Sequence, residues 1–107
     1  MPKTRAGPVA PQCDFEGTFQ LLGQKHVLHV LWALVEKSPR RFNELRESVG
    51  ANTATFTDRL RQMERLGLVQ RDVIHVLPRR VEYRLTPMGL DLVKIFRPMT
   101  RWRAKYS

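Results

Sequence analysis

The chain has 107 residues, 42% of them apolar and 27% charged, which fits one globular domain and argues against wholesale disorder. No apolar run approaches the ~20 residues of a membrane span, and the proline-bearing start lacks a secretory pattern. A single cysteine closes no intramolecular disulfide and anchors no cysteine-based zinc site, so a reducing cytoplasm is expected. Nineteen Lys and Arg against ten Asp and Glu give a net charge of +9. Such a balance invites a polyanion: DNA, RNA or an anionic membrane surface. Fourteen of the nineteen are Arg, whose forked guanidinium suits phosphate and guanine. Dispersed, solvated charge is the alternative, so placement along the chain decides.

Met1 to Gln12 reads as a flexible leader, with Pro2, Pro8, Pro11, Gly7, Lys3 and Arg5; a loose tail is the simplest reading, an arm along DNA the other. From Asp14 the pattern turns helical. Asp14 is the expected cap, Phe15, Phe19 and Leu22 form a stripe, and Gly23 is the stop. A second helix spans about Lys25 to Glu36, with Val27, Leu31 and Leu34 as its stripe and Val30 and Val35 beside it, so it should be the most buried. Arg40-Arg41-Phe42 is a short extended connector. Asn43 then caps a third helix to about Val49, with Leu45 and Val49 inward and Gly50 as its stop.

Asn52 is the expected cap of a fourth helix, Thr53 to Leu66, where Phe56, Leu60, Met63 and Leu66 recur at helical spacing before Gly67. Two strand-like runs follow, Leu68 to Val76 and Val81 to Leu85; in the second, Val81, Tyr83 and Leu85 alternate with Glu82 and Arg84. Between them, Leu77-Pro78-Arg79-Arg80 makes a basic turn. Thr86-Pro87 opens the last helix as cap and first residue. Met88, Leu92, Ile95, Met99 and Trp102 share a stripe along it, and Pro98 should bend it.

Helix, helix, short loop, helix and a hairpin with a basic tip is the order of a winged helix-turn-helix. The expected fold class is thus α+β and mostly helical, with a two-stranded β wing and extra N- and C-terminal helices over residues 13–107. The fourth helix would enter the major groove. With Thr53 at zero and ~100° per residue, Phe56, Leu60 and Met63 centre the apolar face. Ala54, Thr57, Asp58, Arg61 and Arg65 lie opposite, which an ordinary solvated face would also produce. The basic hairpin immediately after this helix favours DNA.

From Cys13 to Trp102 the chain resembles the HxlR family of winged-helix transcriptional regulators. The family's opening Cys and Gly-Gly-Lys-Trp segment correspond to Cys13 and Gly23-Gln24-Lys25-His26. Its Arg-Phe-Asn-Glu-Leu stands as Arg41 to Leu45. Its Leu-Thr-x-Arg-Leu ahead of Gly-Leu is Phe56 to Leu60 with Gly67-Leu68. Its Pro-x-Arg-Val-Glu-Tyr-x-Leu-Thr is Pro78 to Thr86, followed by Gly89.

The resemblance implies sequence-specific binding of duplex DNA at a pseudo-palindromic operator by a homodimer joined through its first and last helices. Phe15, Phe19, Leu92, Ile95, Met99 and Trp102 are the interface candidates. A last helix without an obvious place in so small a core points the same way. The candidate DNA-binding residues are Arg40, Arg41, Thr53, Ala54, Thr57, Asp58, Arg59, Arg61, Arg65, Arg79 and Arg80. In several relatives the early Cys senses oxidants or electrophiles, which makes Cys13 a candidate redox sensor. Asp14 and Glu16 oppose its thiolate, a helix N-terminus favours it, and a plain thiol at a helix entrance is the alternative. His26 and Gln24 depart from the family's Trp and Gly, so packing there should differ.

Other chemistry finds no support. His26 and His29 share a helix but lack a third ligand at a companion spacing, so no metal is expected. No phosphate-cradling glycine loop and no base partner for Ser38, Ser48 or Ser107 appears, so neither a cofactor nor an enzyme activity is expected. Nothing in the sequence names an operator, a small ligand, or activation against repression. A winged-helix module for protein assembly or RNA binding is the competing function, and it differs in requiring no preference among duplex sequences.

Overall fold

A computed structural model describes residues 10–74 and 77–107, with side chains from Phe15 onward. The elements run α1 (Ala10–Leu22), α2 (Val27–Glu36), β1 (Arg40–Arg41), α3 (Phe42–Val49), α4 (Thr53–Leu66), β2 (Val69–Ile74), β3 (Arg80–Leu85), α5 (Pro87–Phe96) and α6 (Pro98–Lys105). Residues 1–9 of the expected leader, and His75 and Val76 of the expected first wing strand, lie outside the described residues.

Helix α2 is the centre of the core. Val27, Val30, Leu31, Ala33 and Leu34 are all buried, as its broad stripe requires. Leu45 of α3, Phe56, Leu60 and Met63 of α4, Leu68, Val69, Tyr83 and Val93 close around it. Phe42 packs edge-on against Phe56 with ring centroids 5.3 Å apart. Helix α5 does have a place in this core: Val93 is buried and Leu92 packs against the cluster. The first turn of α5 approaches Leu68 so closely that a Cβ on Gly89 would collide with the Leu68 carbonyl oxygen.

Local rules set most boundaries. Asn52 Oδ1 accepts from the Thr55 N–H at 2.8 Å, and Gly67 ends α4 in the left-handed conformation at φ 92°, where a glycine has no Cβ penalty. Thr86 Oγ1 accepts from the Gly89 N–H at 3.0 Å, with Pro87 as the first helical residue. Several expectations give way in the structure. Helix α1 begins at Ala10, so Asp14 lies inside it and is not its cap. Its inward residue is Leu21, while Phe15 and Phe19 are exposed and stack on each other at 4.3 Å. Helix α3 starts at Phe42 and not after Asn43: the Glu44 carboxylate accepts from the Arg41 N–H at 3.0 Å and fixes the start one turn back.

The connector Arg40–Arg41 is a strand. It pairs antiparallel with β3, Arg40 opposite Tyr83 and Arg41 opposite Glu82, so the β2–β3 wing extends into a three-stranded sheet of order β1-β3-β2. Pro98 does more than bend the last helix. It divides it into α5 and α6 at Arg97, because its ring excludes the preceding backbone and offers no N–H to continue the ladder.

Candidate nucleic-acid interface

Burial of Phe56, Leu60 and Met63 turns the opposite face of α4 to solvent. Thr53, Ala54, Asp58, Arg61 and Arg65 are exposed there, and Thr57 is half-buried at the edge. Small residues occupy the first turn and the arginines the later ones, so the helix narrows where it would approach a base edge and carries its charge farther along. Arg65 lies in the last turn, where a cation also meets the negative end of the helix dipole.

The wing is braced by ion pairs, Arg84 to Asp72 at 3.2 Å and Arg80 to Glu82 at 3.2 Å. The Arg80 pair uses Nε, so its terminal nitrogens stay available at the start of β3. Arg79 is exposed beside it. A cleft between the wing and the start of α3 is lined by Arg41, Asn43, Glu44, Arg79 and Arg80. Three cations from two distant parts of the sequence, Arg41 and the adjacent Arg79 and Arg80, therefore share one concave surface. The hydrogen bond from the Arg41 N–H is the main cause holding the Glu44 carboxyl below its ordinary range. Glu44 is thus ionised at neutral pH and tempers the positive cleft.

The structure separates two residues from this group. Side chains alternate along a strand, so Arg40 and Arg41 leave β1 on opposite sides; Arg40 donates from Nε to the Lys37 carbonyl at 3.1 Å and does not line the cleft. Arg59 flanks the buried side of α4. Its Nε donates to the Lys25 carbonyl at 3.1 Å and its Nη1 to Asp58 Oδ2 at 2.8 Å, which ties α4 to the α1–α2 turn. Gln62, absent from the sequence-derived candidates, donates to the same Asp58 oxygen at 2.7 Å. The i,i+4 spacing of Asp58 and Gln62 is the signal that would have found it.

The α1–α2 turn is itself unusual. His26 adopts φ 78°, uncommon for a residue with a Cβ, and stands where the sequence departs from the family's Trp. Desolvation, then the charges of Lys25, Arg59 and His29, lower its pKa from the ordinary 6.5. No group of three or more metal-ligating side chains occurs among the described residues, and none of the helices there is long and apolar enough to cross a membrane.

Most of the expected interface residues are exposed. Ile95 and Trp102 are 69% and 60% exposed, Met88 and Met99 are exposed, and Leu92 is half-buried against its own core. The backbone of Cys13 belongs to α1; its side chain lies outside the described part.

The HxlR-like helix-turn-helix model matches residues 21–107. An uncharacterised HTH-type transcriptional regulator of Halalkalibacterium halodurans, BH0655, is 34% identical over 92 residues, covering 85% of this chain and 81% of its own. A MarR-family regulator from Enterococcus faecalis V583 superimposes with TM-score 0.77 at 31% identity, over 96% of this chain and 94% of that one. The regulator YodB of Bacillus subtilis in its reduced form does so with TM-score 0.74 at 28% identity, over 92% and 95%; it is also solved after diamide treatment. Matched by that family model over residues 21–107 and superimposing on these regulators over most of its length, the chain is a winged helix-turn-helix transcriptional regulator of the HxlR family.

Proposed function

We propose that this regulator binds duplex DNA sequence-specifically as a homodimer on a pseudo-palindromic operator. The observation that carries the reading is the pairing of an exposed, arginine-bearing face on α4 with a cleft where Arg41, Arg79 and Arg80 converge. In this reading Thr53, Ala54, Thr57, Asp58 and Arg61 face base edges, while Arg41, Arg65, Arg79 and Arg80 neutralise phosphate. Arg59, whose Nε and Nη1 are both engaged within the chain, is left out of direct contact, while Arg40, bonded through Nε alone, keeps its terminal nitrogens for phosphate.

The dimer is supported by α6, which buries none of its own residues. The exposed Phe15–Phe19 pair and the exposed Ile95, Met99 and Trp102 also form more apolar surface than scattered exposure explains. Two such subunits would set their α4 helices in major grooves about 34–36 Å apart.

Selection of bound sites from random duplexes tests the reading: a two-fold symmetric motif supports it, and binding without preference favours the assembly or RNA module. The Arg79→Ala/Arg80→Ala double variant should weaken binding to every sequence and flatten the salt dependence by about 0.9 per lost phosphate contact; an unchanged slope removes the wing from the interface.

A thiol switch at Cys13 is a second element of the proposal, favoured by the relative YodB having been solved in both reduced and diamide-treated forms. With one cysteine per chain, a disulfide must join two subunits or a subunit and a small thiol. Either would alter α1, and with it the spacing of the two α4 helices. Operator affinity of wild type and Cys13→Ser is compared during oxidant titration; equal affinities remove the switch.

A further inference from the structure

The outward face of α4 carries two carboxylates, Glu64 toward its edge beside Thr53 and Thr57 and Asp58 near its middle beside the arginines. With Thr53 at zero and ~100° per residue, Asp58 falls at about 140°, nearly opposite the buried stripe and between Arg61 and Arg65 and the far edge of the helix. Its side chain is 58% exposed, whereas that of Arg59 is 21% exposed. An anion at this place repels phosphate and lowers affinity for DNA in general. A surface selected only for binding polyanions has no use for it.

Asp58 is also the most constrained residue on that face. Arg59 Nη1 and Gln62 Nε2 both donate to its Oδ2, at 2.8 and 2.7 Å, and Arg59 is in turn anchored by the Lys25 carbonyl at 3.1 Å. Both braces come from the same flank of the helix and hold Oδ2 toward it, so the carboxylate has lost the rotamer freedom of an ordinary exposed Asp. Charge-assisted bonds of this length are the strong kind. Because both fall on the same oxygen, the lone pairs of Oδ1 are left to accept from a donor outside the chain. The Arg59 charge meanwhile offsets the repulsion of nearby phosphates.

Base edges in the major groove differ in where they donate. Cytosine presents its 4-amino donor with no acceptor of its own beside it, while guanine and thymine present carbonyl acceptors that a carboxylate repels. We propose that Asp58 is a specificity-determining residue that accepts a hydrogen bond from the 4-amino group of one cytosine in each half-site. Arg59 and Gln62 act as positioning residues that hold it to that task. The inference rests on the DNA-binding reading above and sharpens it to one base.

The test uses the full chain. Sites are selected from random duplexes by wild type, Asp58→Asn and Gln62→Ala. Wild type should fix one cytosine at symmetric positions of the motif. Asp58→Asn should lose that preference, by on the order of tenfold, and move toward adenine, which an amide pairs through N6 and N7. Preferences at the other positions stay as they were. On the selected duplex, replacing that C·G pair by T·A should cost wild type on the order of tenfold and Asp58→Asn nothing.

Gln62→Ala should reduce the cytosine preference severalfold while leaving the salt slope and the melting temperature at wild-type values, a combination that a merely structural role does not produce. A wild-type motif whose cytosine survives in Asp58→Asn overturns the inference and leaves the regulator reading standing. A uniform change in affinity for all sequences, with the motif retained, overturns it too and makes Asp58 a bulk electrostatic element. A wild type that selects no motif overturns both.

Discussion

Helices α4 and α6 both end in basic residues, Arg65 in one and Arg103 and Lys105 in the other, yet they are stabilised in opposite ways. Helix α4 has 14 residues, a side-chain cap at Asn52, a glycine stop at Gly67, and Phe56, Leu60 and Met63 buried. Helix α6 has eight residues, no side-chain cap and nothing buried, while Met99, Trp102 and the neighbouring Tyr106 remain exposed. An isolated helix of that length is marginal in water. The chain thus completes one helix internally and leaves the other dependent on α5 and on whatever covers it. A surface that binds DNA is best rigid before the ligand arrives, and in the proposed dimer α6 would stay apolar and open until the partner covers it.

Helix α4 is disrupted most severely at Phe56. Phe56→Ala removes a fully buried ring and its edge contact with Phe42, and should cost about 3–5 kcal/mol in a denaturant melt; a loss below about 1 kcal/mol would mean that α4 is not held from behind. The opposite experiment is Ile95→Glu combined with Met99→Glu. Both side chains are exposed, so the variant should keep its helical circular dichroism but sediment as a monomer at micromolar concentration. A wild type that is itself monomeric there, or a variant that remains dimeric, removes α5–α6 from association.

A smaller effect sharpens the account of α4 itself. Asn52→Ala deletes the acceptor for the Thr55 N–H and should destabilise by about 1 kcal/mol. The same substitution should leave the oligomeric state untouched, since the cap belongs to the internally completed helix. Calorimetry and sedimentation on one sample check both halves.

The smallest expected effect is a pH dependence near α3 and α4. His26 has a folded pKa below the ordinary 6.5, so on acidification the unfolded chain takes up the proton first. Stability contributed by neutral His26 is therefore present above about 6.5 and lost as pH falls below that value toward the folded pKa. Lys25, Arg59 and His29 supply the repulsion that adds to desolvation. Glu44, also lowered, from 4.5, stabilises α3 above that pH and loses its contribution as pH falls through the folded pKa. Melts from pH 8 to 5 should show a shallow decline that His26→Gln abolishes; an unchanged decline would assign it to other groups.

Most interactions reaching no farther than four residues were legible in the sequence, the Arg41–Glu44 bond that starts α3 and the Asp58–Gln62 bond excepted. Asn52 and Thr86 as caps, Gly50 and Gly67 as stops, Pro87 at a helix start and the inward stripes of α2 and α4 all follow from backbone hydrogen-bonding needs and helical periodicity. So did the outward face of α4, because burying one side of a helix exposes the other, and so did the order of elements that makes a winged helix. Tertiary structure decided the rest. Arg40–Arg41 became a strand because β3, some forty positions on, offered unpaired backbone groups. Arg59 was drawn from the DNA-facing set to a carbonyl 34 residues away, and Leu21 joined Leu22 against the core while Phe15 and Phe19 stayed exposed, because α1 docks on both α2 and α4 near its end. Each of these depends on which distant group fills a hydrogen bond or a packing vacancy, and periodicity within one element carries no information about that.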